Sequence, residues 1–182
     1  MSKFVISILL CLGLISFNVF GKDESQTYLQ KLPDEFAQLN VKEVGSAKFS
    51  VLFWDIYNST LYTPTGEYSY TEKANKLIFK IEYLKDISSA DLIERTVEQW
   101  QHLNIPKAQY SAFIPRLQAI WPDISAGDSL AMLVENNTAI FYFNNDQIGM
   151  VEQPEFYQLF LDIWLSPKTS QAKLRSQLLG EA

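Results

Sequence analysis

The sequence predicts an α+β domain, in which an antiparallel β-sheet has a layer of helices packed over one face. Apolar residues alternate with a period of two in residues 41–83 and 129–151, which is typical of strands. They recur with a period near 3.6 in residues 88–121 and 154–180, which is typical of helices. Strands and helices that come in groups, rather than in βαβ alternation, favour this class. No repeat or long linker interrupts the pattern, so we expect one domain over residues 22–182.

The first group of strands centres on Phe49–Tyr57, which has apolar side chains on both of its predicted faces. One face would carry Phe49, Val51, Phe53 and Tyr57, and the other Leu52, Trp54 and Ile56. Such a strand is expected to be central and covered on both sides. A shorter strand at Val41–Val44 should precede it, with a turn at Gly45-Ser46. Leu61-Tyr62 should continue the sheet, and Lys76–Tyr83 is predicted to be a half-exposed strand.

Two helical stretches should follow. A helix is predicted from Ser88 or Ser89 to about Leu103, since a serine cap precedes an apolar stripe at helical spacing. Pro106 should open a second stretch, which Pro115 should kink or split because an interior proline removes a hydrogen bond.

The C-terminal half should contain a strand meander and two helices. The strands Ser129–Val134 and Thr138–Phe143 are predicted to pair as a hairpin, followed by a strand at Gln147–Val151. Pro154 should start a helix to about Leu165. A last helix should be capped by Thr169 and ended by Gly180.

The N-terminus has the layout of a secretory signal peptide. Lys3 precedes the uncharged apolar run Phe4–Phe20, and a charged stretch begins at Lys22. Val19 and Gly21 fit the small-residue positions before a cleavage site. A membrane anchor is the alternative, but the run is at the short end of the roughly 17–25 residues of a spanning helix. We therefore expect cleavage after Gly21, a periplasmic domain and no stable membrane insertion after cleavage.

Charge and residue usage exclude several classes of function. The chain has 15 basic and 21 acidic residues, and removal of Lys3 leaves 14 basic residues and a net charge of −7. Such a surface repels phosphate backbones, so nucleic acid is not an expected partner. Cys11 leaves with the signal peptide and His102 is the sole histidine of the sequence. A thiol nucleophile and most zinc sites are thereby excluded, and we expect no metal or other cofactor.

Five segments, in chain order, carry a family resemblance. They are VGSAKFSVLFWDIYNSTLY (44–62), DLIERTVEQWQHL (91–103), IWPDISAGDSL (120–130), FYFNNDQIGMV (141–151) and FLDIWLSPKTSQAKLRSQLLG (160–180). Together they resemble the bacterial, exported branch of the chalcone isomerase-like family over residues 41–180. The resemblance implies an open-faced β-sandwich, which is a large antiparallel sheet with a helical layer.

The resemblance also bears on activity. Plant enzymes of the family close a flavonoid ring with the help of an arginine just before the long strand and of Thr, Tyr and Asn side chains. Related plant proteins bind fatty acids through an arginine and a tyrosine. Here only Lys42 and Lys48 precede the strand, and lysine lacks the planar fork of guanidinium donors. The positions of the Asn, Tyr and Thr hold, in turn, Gln99, Leu92 and either Asp162 or Ile163. The enzymatic set is largely missing, so we expect no chalcone cyclisation.

The predicted ligand-binding residues are two polar side chains and three aromatic ones: Arg95, Gln99, Trp54, Tyr57 and Trp100. Arg95 and Gln99 are four apart on the predicted helix and would present polar donors to an apolar crevice. Alternatively, Arg95 pairs with Asp91 or Glu98 at the surface. The tryptophans are also expected to serve core packing.

Asp55 and His102 are the other candidates. A buried Asp55 beside Tyr57 would have a raised pKa, as a general base requires. The alternative is that Asp55 lies at a bulge and binds backbone amides. His102 most simply interacts with the end of its helix.

Three functions are compatible with these residues. The favoured one is a non-catalytic periplasmic protein that binds a small apolar or amphipathic molecule, such as a fatty acid, between sheet and helices. The second is an isomerase or lyase that uses a non-standard set including Asp55, Tyr57 or Arg95. The third is an accessory protein with a fully packed interior that acts through its surface. The oligomeric state is left open.

Overall fold

The computed structural model describes residues 38–72 and 75–181, which form one six-stranded antiparallel sheet and five helices. The predicted signal peptide and its cleavage site lie outside these residues. The strands are β1 (Lys42–Val51), β2 (Trp54–Thr63), β3 (Lys76–Tyr83), β4 (Ser129–Glu135), β5 (Thr138–Phe143) and β6 (Asp146–Val151). The helices are α1 (Ser89–His102), α2 (Lys107–Tyr110), α3 (Ile114–Ile120), α4 (Pro154–Leu165) and α5 (Ala172–Leu178).

The sheet is a meander whose spatial order follows the chain from β1 to β6, with α1–α3 inserted between β3 and β4. The helices and one face of every strand share the main apolar core, to which Leu61, Phe79, Met132 and Phe141 contribute fully buried side chains. The predicted fold class, an α+β open-faced β-sandwich, is confirmed. None of the helices described here is long and apolar enough to cross a membrane.

The strand predicted at Phe49–Tyr57 is wrong, because the chain turns back in its middle. Val51 pairs with Trp54, so Leu52 and Phe53 are the two residues of a tight hairpin turn between β1 and β2. Phe49 lies directly opposite Tyr57, and their rings stack with centroids 5.1 Å apart. The two residues do share a face, but as cross-strand neighbours and not as distant members of one strand.

The turn predicted at Gly45-Ser46 is also wrong, since β1 passes straight through it. The pairing register shifts between Glu43 and Gly45, which marks a β-bulge. Gly45 lies under the end of α5: a Cβ there would clash with the Gln177 carbonyl oxygen and stand 2.9 Å from that of Leu178. The glycine therefore permits helix packing rather than a turn.

β3 has the predicted bounds, but it is not half-exposed. Leu77, Phe79 and Ile81 face the helices as predicted. On the opposite face Ile78 is fully buried and Lys80 is 8% exposed. A second apolar cluster lies on that face, composed of Val41, Tyr62, Ile78, Ala131, Leu133 and Tyr142.

Local sequence signals predicted the remaining elements, except for the start of the last helix. The Ser88 side chain caps α1 by accepting a hydrogen bond from the Asp91 amide. Pro115 divides the stretch after Pro106 by standing in the first turn of α3. Thr169 does not cap the last helix: its hydroxyl donates to the Ile163 carbonyl oxygen at 2.6 Å, and α5 begins later, at Ala172.

Candidate functional site

Arg95 lies at the surface of α1 and not in a crevice. Its side chain is 69% exposed, and its Nη1 donates to Glu98 Oε2 at 2.6 Å. The hydrogen bond from Arg95 to Glu98 raises the pKa of the guanidinium. The surface pair considered from the sequence is therefore what the structure contains.

The side chains of Gln99 and Trp100 lie in two different environments. The Gln99 amide oxygen accepts a hydrogen bond from Ser170 Oγ at 2.9 Å. Trp100 is fully buried, its indole NH donates to the Leu159 carbonyl oxygen, and its ring stacks on Tyr110. Both side chains tie α1 to the C-terminal part of the domain.

Trp54 is not a core residue, because it follows the turn of the β1–β2 hairpin. Its side chain is 61% exposed, and the Lys85 ammonium lies 4.3 Å from the centroid of its ring. The expectation that Trp54 packs in the core or walls a buried site is corrected by its place at this turn.

Tyr57 faces the helices and is the most enclosed of the predicted polar groups. Its hydroxyl oxygen accepts a hydrogen bond from the Trp164 indole NH at 2.9 Å. Burial raises the pKa of Tyr57 to about 12, so the hydroxyl keeps its proton at neutral pH. Tyr57 can donate a hydrogen bond but does not supply a base.

Asp55 does not have the raised pKa of a buried general base. It is exposed, accepts hydrogen bonds from Ser50 Oγ at 2.6 Å and Lys48 Nζ at 2.9 Å, and these contacts lower its pKa. It stands opposite the register shift between Phe49 and Ser50, but it binds side chains rather than backbone amides. His102 occupies the last turn of α1, as expected.

The five predicted residues therefore do not line one crevice. Instead, a groove of about 1030 Å³ opens between α2, α3, the end of β6 and the start of α4. Its lining is formed by Ala108, Gln109, Ala112, Phe113, Arg116, Met150, Glu152, Gln153, Glu155 and Leu159. We call it the Arg116 groove.

The lining of the Arg116 groove includes both apolar side chains and one guanidinium. Phe113, Met150 and Leu159 supply apolar surface. Arg116 is held in place by its Nε, which donates to the Met150 carbonyl oxygen at 2.9 Å. None of the ion pairs formed within the described ranges includes Arg116, so its Nη donors can bind an anion.

Two carboxylates set the electrostatics of the groove. Glu152 and Glu155 line it together with Arg116, and Glu155 lies in the first turn of α4. They repel an anionic head group and attract a cationic one. A ligand carboxylate is therefore favoured only where it contacts the guanidinium.

Sequence reasoning missed Arg116, although a signal was present. The residue stands three positions after Phe113 and next to Leu117, which are both buried, on a short helix opened by Pro115. Arg95 was favoured instead because it lies four residues before Gln99 on a predicted helix, a spacing that places two polar side chains on one face.

The sequence and the fold are both similar to those of known proteins. The family model for chalcone isomerase-like proteins matches residues 32–180. The chain belongs to the chalcone isomerase-like family. An uncharacterized protein of Haemophilus influenzae is 27% identical over 138 residues, which are 76% of this chain and 67% of that protein. The crystal structure of a fatty-acid binding protein of Arabidopsis thaliana has a TM-score of 0.60 at 11% identity, covering 77% of this chain and 87% of that one. The likeness to that structure shows the fold.

In this chalcone isomerase-like protein, the Trp164 side chain fills space beside Tyr57. Trp164 packs against Phe79 with centroids 4.7 Å apart and donates to the Tyr57 hydroxyl. Lys48 pairs with Asp55 and lies opposite Asn58, on the sheet face away from the helices. The Tyr57 hydroxyl, which was expected to face a ligand, is thus in contact with the Trp164 side chain.

Proposed function

We propose that this chalcone isomerase-like protein is non-catalytic and binds an amphipathic carboxylate, such as a fatty acid, in the Arg116 groove. The observation that carries the proposal is a guanidinium without an ion-pair partner among the described residues, which lies in a groove that also contains apolar side chains. We also propose that the protein acts in the periplasm after cleavage of its signal peptide following Gly21.

The chemistry of the groove suits the two ends of such a molecule. An acyl chain laid along Phe113, Met150 and Leu159 would be stabilised by about 25 cal/mol for each Å² of apolar surface removed from water. Its carboxylate would accept charge-assisted hydrogen bonds from the Arg116 Nη groups. Since Arg116 Nε already binds the Met150 carbonyl oxygen, the guanidinium is oriented before the ligand arrives.

The fatty-acid binding protein of Arabidopsis supports the proposal by analogy of fold. The isomerase alternative lacks a comparable observation. Tyr57 retains its proton at neutral pH, Asp55 has a lowered pKa, and Arg95 is bound to Glu98 at the surface.

Fluorescent fatty-acid titration of the wild type, Arg116→Ala and Arg95→Ala tests the site. The Arg116 variant should bind about fivefold more weakly. A hydrogen bond to a charged group is usually worth about 1.5–3 kcal/mol, and solvent screening at this exposed position reduces the expected loss to about 1 kcal/mol. Arg95→Ala removes the same charge from α1 and should bind like the wild type.

The groove carboxylates provide a test of opposite sign. Glu152→Gln and Glu155→Gln remove charges that repel a ligand carboxylate, so each should strengthen fatty-acid binding and neither should strengthen binding of the matching fatty alcohol. Equal affinities for wild type and Arg116→Ala would remove Arg116 from the site. Absence of binding by the wild type would instead favour an accessory protein that acts through its surface.

A further inference from the structure

The turn of the β1–β2 hairpin exposes four consecutive apolar residues, Val51–Trp54, which we call the hairpin tip. Leu52 is 87% exposed, Phe53 97%, Trp54 61% and Val51 47%. They are the exposed large hydrophobic residues of the part of the chain that the structure describes, and all are adjacent. Single exposed apolar side chains are ordinary, but a contiguous group marks an interaction site.

The backbone conformation of the turn does not require apolar residues at these positions. Leu52 has a φ of 56°, in the left-handed region that glycine or asparagine normally occupies in a two-residue hairpin turn. A leucine there raises the local backbone energy, and neither Leu52 nor Phe53 packs in the core. Folding therefore gives no reason for either residue, which points to a role in binding.

We propose that the hairpin tip inserts into the interfacial region of a lipid bilayer. Leu52 and Phe53 project at the far end of the hairpin, beyond the last cross-strand pair, Val51–Trp54. Trp54 follows with its indole beside the Lys85 ammonium. The Lys48–Asp55 ion pair comes next along the hairpin. This order, from aliphatic and aromatic groups through an indole to charges, matches the depth profile of a membrane interface.

A bilayer fits the shape of the tip better than a protein partner does. Phe53 is almost entirely exposed, so the tip is convex, and a protein would need a cavity that encloses it. Lipid provides that enclosure without a preformed pocket. The proposal does not rest on fatty-acid binding in the Arg116 groove.

The charges near the tip determine which membrane it should bind. Lys48 and Asp55 neutralise each other, and Lys85 adds one positive charge in a chain of net charge −6. Electrostatic adsorption to anionic lipid is therefore weak. Binding should depend on apolar insertion, should occur on phosphatidylcholine vesicles, and should persist in high salt.

Co-sedimentation with phosphatidylcholine vesicles tests the inference by comparing wild type with the double variant Leu52→Gly/Phe53→Ser. Glycine suits the positive φ at position 52, so the variant should fold at least as well as the wild type. Its vesicle partition coefficient should fall at least tenfold, since two large apolar side chains are removed. Leu52→Gly alone removes the unfavourable backbone conformation but keeps Phe53 and Trp54. Its partition coefficient should fall less than that of the double variant.

Tryptophan fluorescence gives an independent readout. Trp100, Trp121 and Trp164 are buried, so a blue shift on adding vesicles and protection from acrylamide would report on Trp54. The wild type and the double variant share the same N-terminus, so a difference in their vesicle binding is due to the hairpin tip. An equal partition coefficient for the two proteins, or no vesicle binding by the wild type, would overturn the proposal. A wild type that dimerises without lipid while the double variant stays monomeric would also overturn it, by making the tip a contact between copies.

Discussion

Replacing Gly45 by alanine tests how closely the sheet and the C-terminal helix approach each other. The new Cβ would clash with the Gln177 carbonyl oxygen and would lie 2.9 Å from the Leu178 carbonyl oxygen and 3.0 Å from the Gly180 nitrogen. All three are backbone atoms, which cannot rotate away as a side chain can. The end of α5 must therefore move or β1 must bend.

The expected loss of stability is about 2 kcal/mol. Overpacking of this kind costs about 1–3 kcal/mol, and lifting α5 would also expose part of Leu178, which is fully buried. Against this, alanine is more favourable than glycine inside a strand by about 0.5–1 kcal/mol. Ser46→Ala is the matched control, because Ser46 is the next residue of β1 and is exposed. It should change stability by less than about 0.5 kcal/mol.

Urea unfolding measures the loss, and limited trypsin digestion locates it. If α5 is displaced, cleavage at Lys173 and Arg175 should be faster in Gly45→Ala than in Ser46→Ala. An unfolding midpoint of Gly45→Ala equal to that of the wild type would refute the reasoning. A destabilised variant with unchanged cleavage in α5 would show that the strain is taken up by β1.

Three other substitutions have definite expected outcomes. The Tyr157 hydroxyl is buried with no hydrogen-bond partner among the described residues, so Tyr157→Phe should keep or raise the free energy of unfolding, by up to about 1 kcal/mol. The Thr169 hydroxyl donates to a buried carbonyl, so Thr169→Val should lower the free energy of unfolding by about 1–2 kcal/mol. Urea unfolding measures both variants, and equal changes in Tyr157→Phe and Thr169→Val would contradict these two predictions. The pKa of Asp55 is lowered by Ser50 and Lys48, so its contribution to stability is present above its unfolded pKa and lost as the pH falls through the folded pKa. Asp55→Asn should therefore flatten the loss of stability below about pH 4, and an unchanged acid slope would show that the contacts of Asp55 are worth nothing.

Elements that carry their own boundary signals could be predicted from the sequence. α4 begins at Pro154 and ends at Leu165, as predicted, because proline is favoured in the first turn and the apolar residues follow helical spacing. The β4–β5 turn falls at Asn136 and Asn137, which both have positive φ, a conformation that asparagine tolerates. In these places local chemistry and tertiary structure require the same residues.

The sequence could have excluded Arg95 from the buried face of α1, but it could not have placed Arg116 in the groove. At about 100° per residue, the buried stripe of α1, formed by Leu92, Ile93, Thr96 and Trp100, is centred roughly 115° from Arg95. Arg95 is therefore expected on the side of α1 that is turned away from the core. Arg116 could be placed in the groove only once β6 and α4 were positioned next to α3, which is tertiary information.

The error at the hairpin tip has a different cause, and it supports the functional inference. A single strand from Phe49 to Tyr57 would separate these residues by about 26 Å at roughly 3.3 Å per residue, whereas their rings are 5.1 Å apart. The sequence gives no turn signal here, because Leu52 and Phe53 stand where glycine or asparagine would indicate a hairpin turn. Consecutive apolar residues instead predict a buried strand. Sequence reasoning of this kind fails where residues are selected for something other than the fold. Since Leu52 accepts an unfavourable backbone conformation and Phe53 is exposed, the apolar character of the tip is best explained by a surface outside the protein, and a lipid bilayer satisfies its shape, its layering and its near-neutral charge.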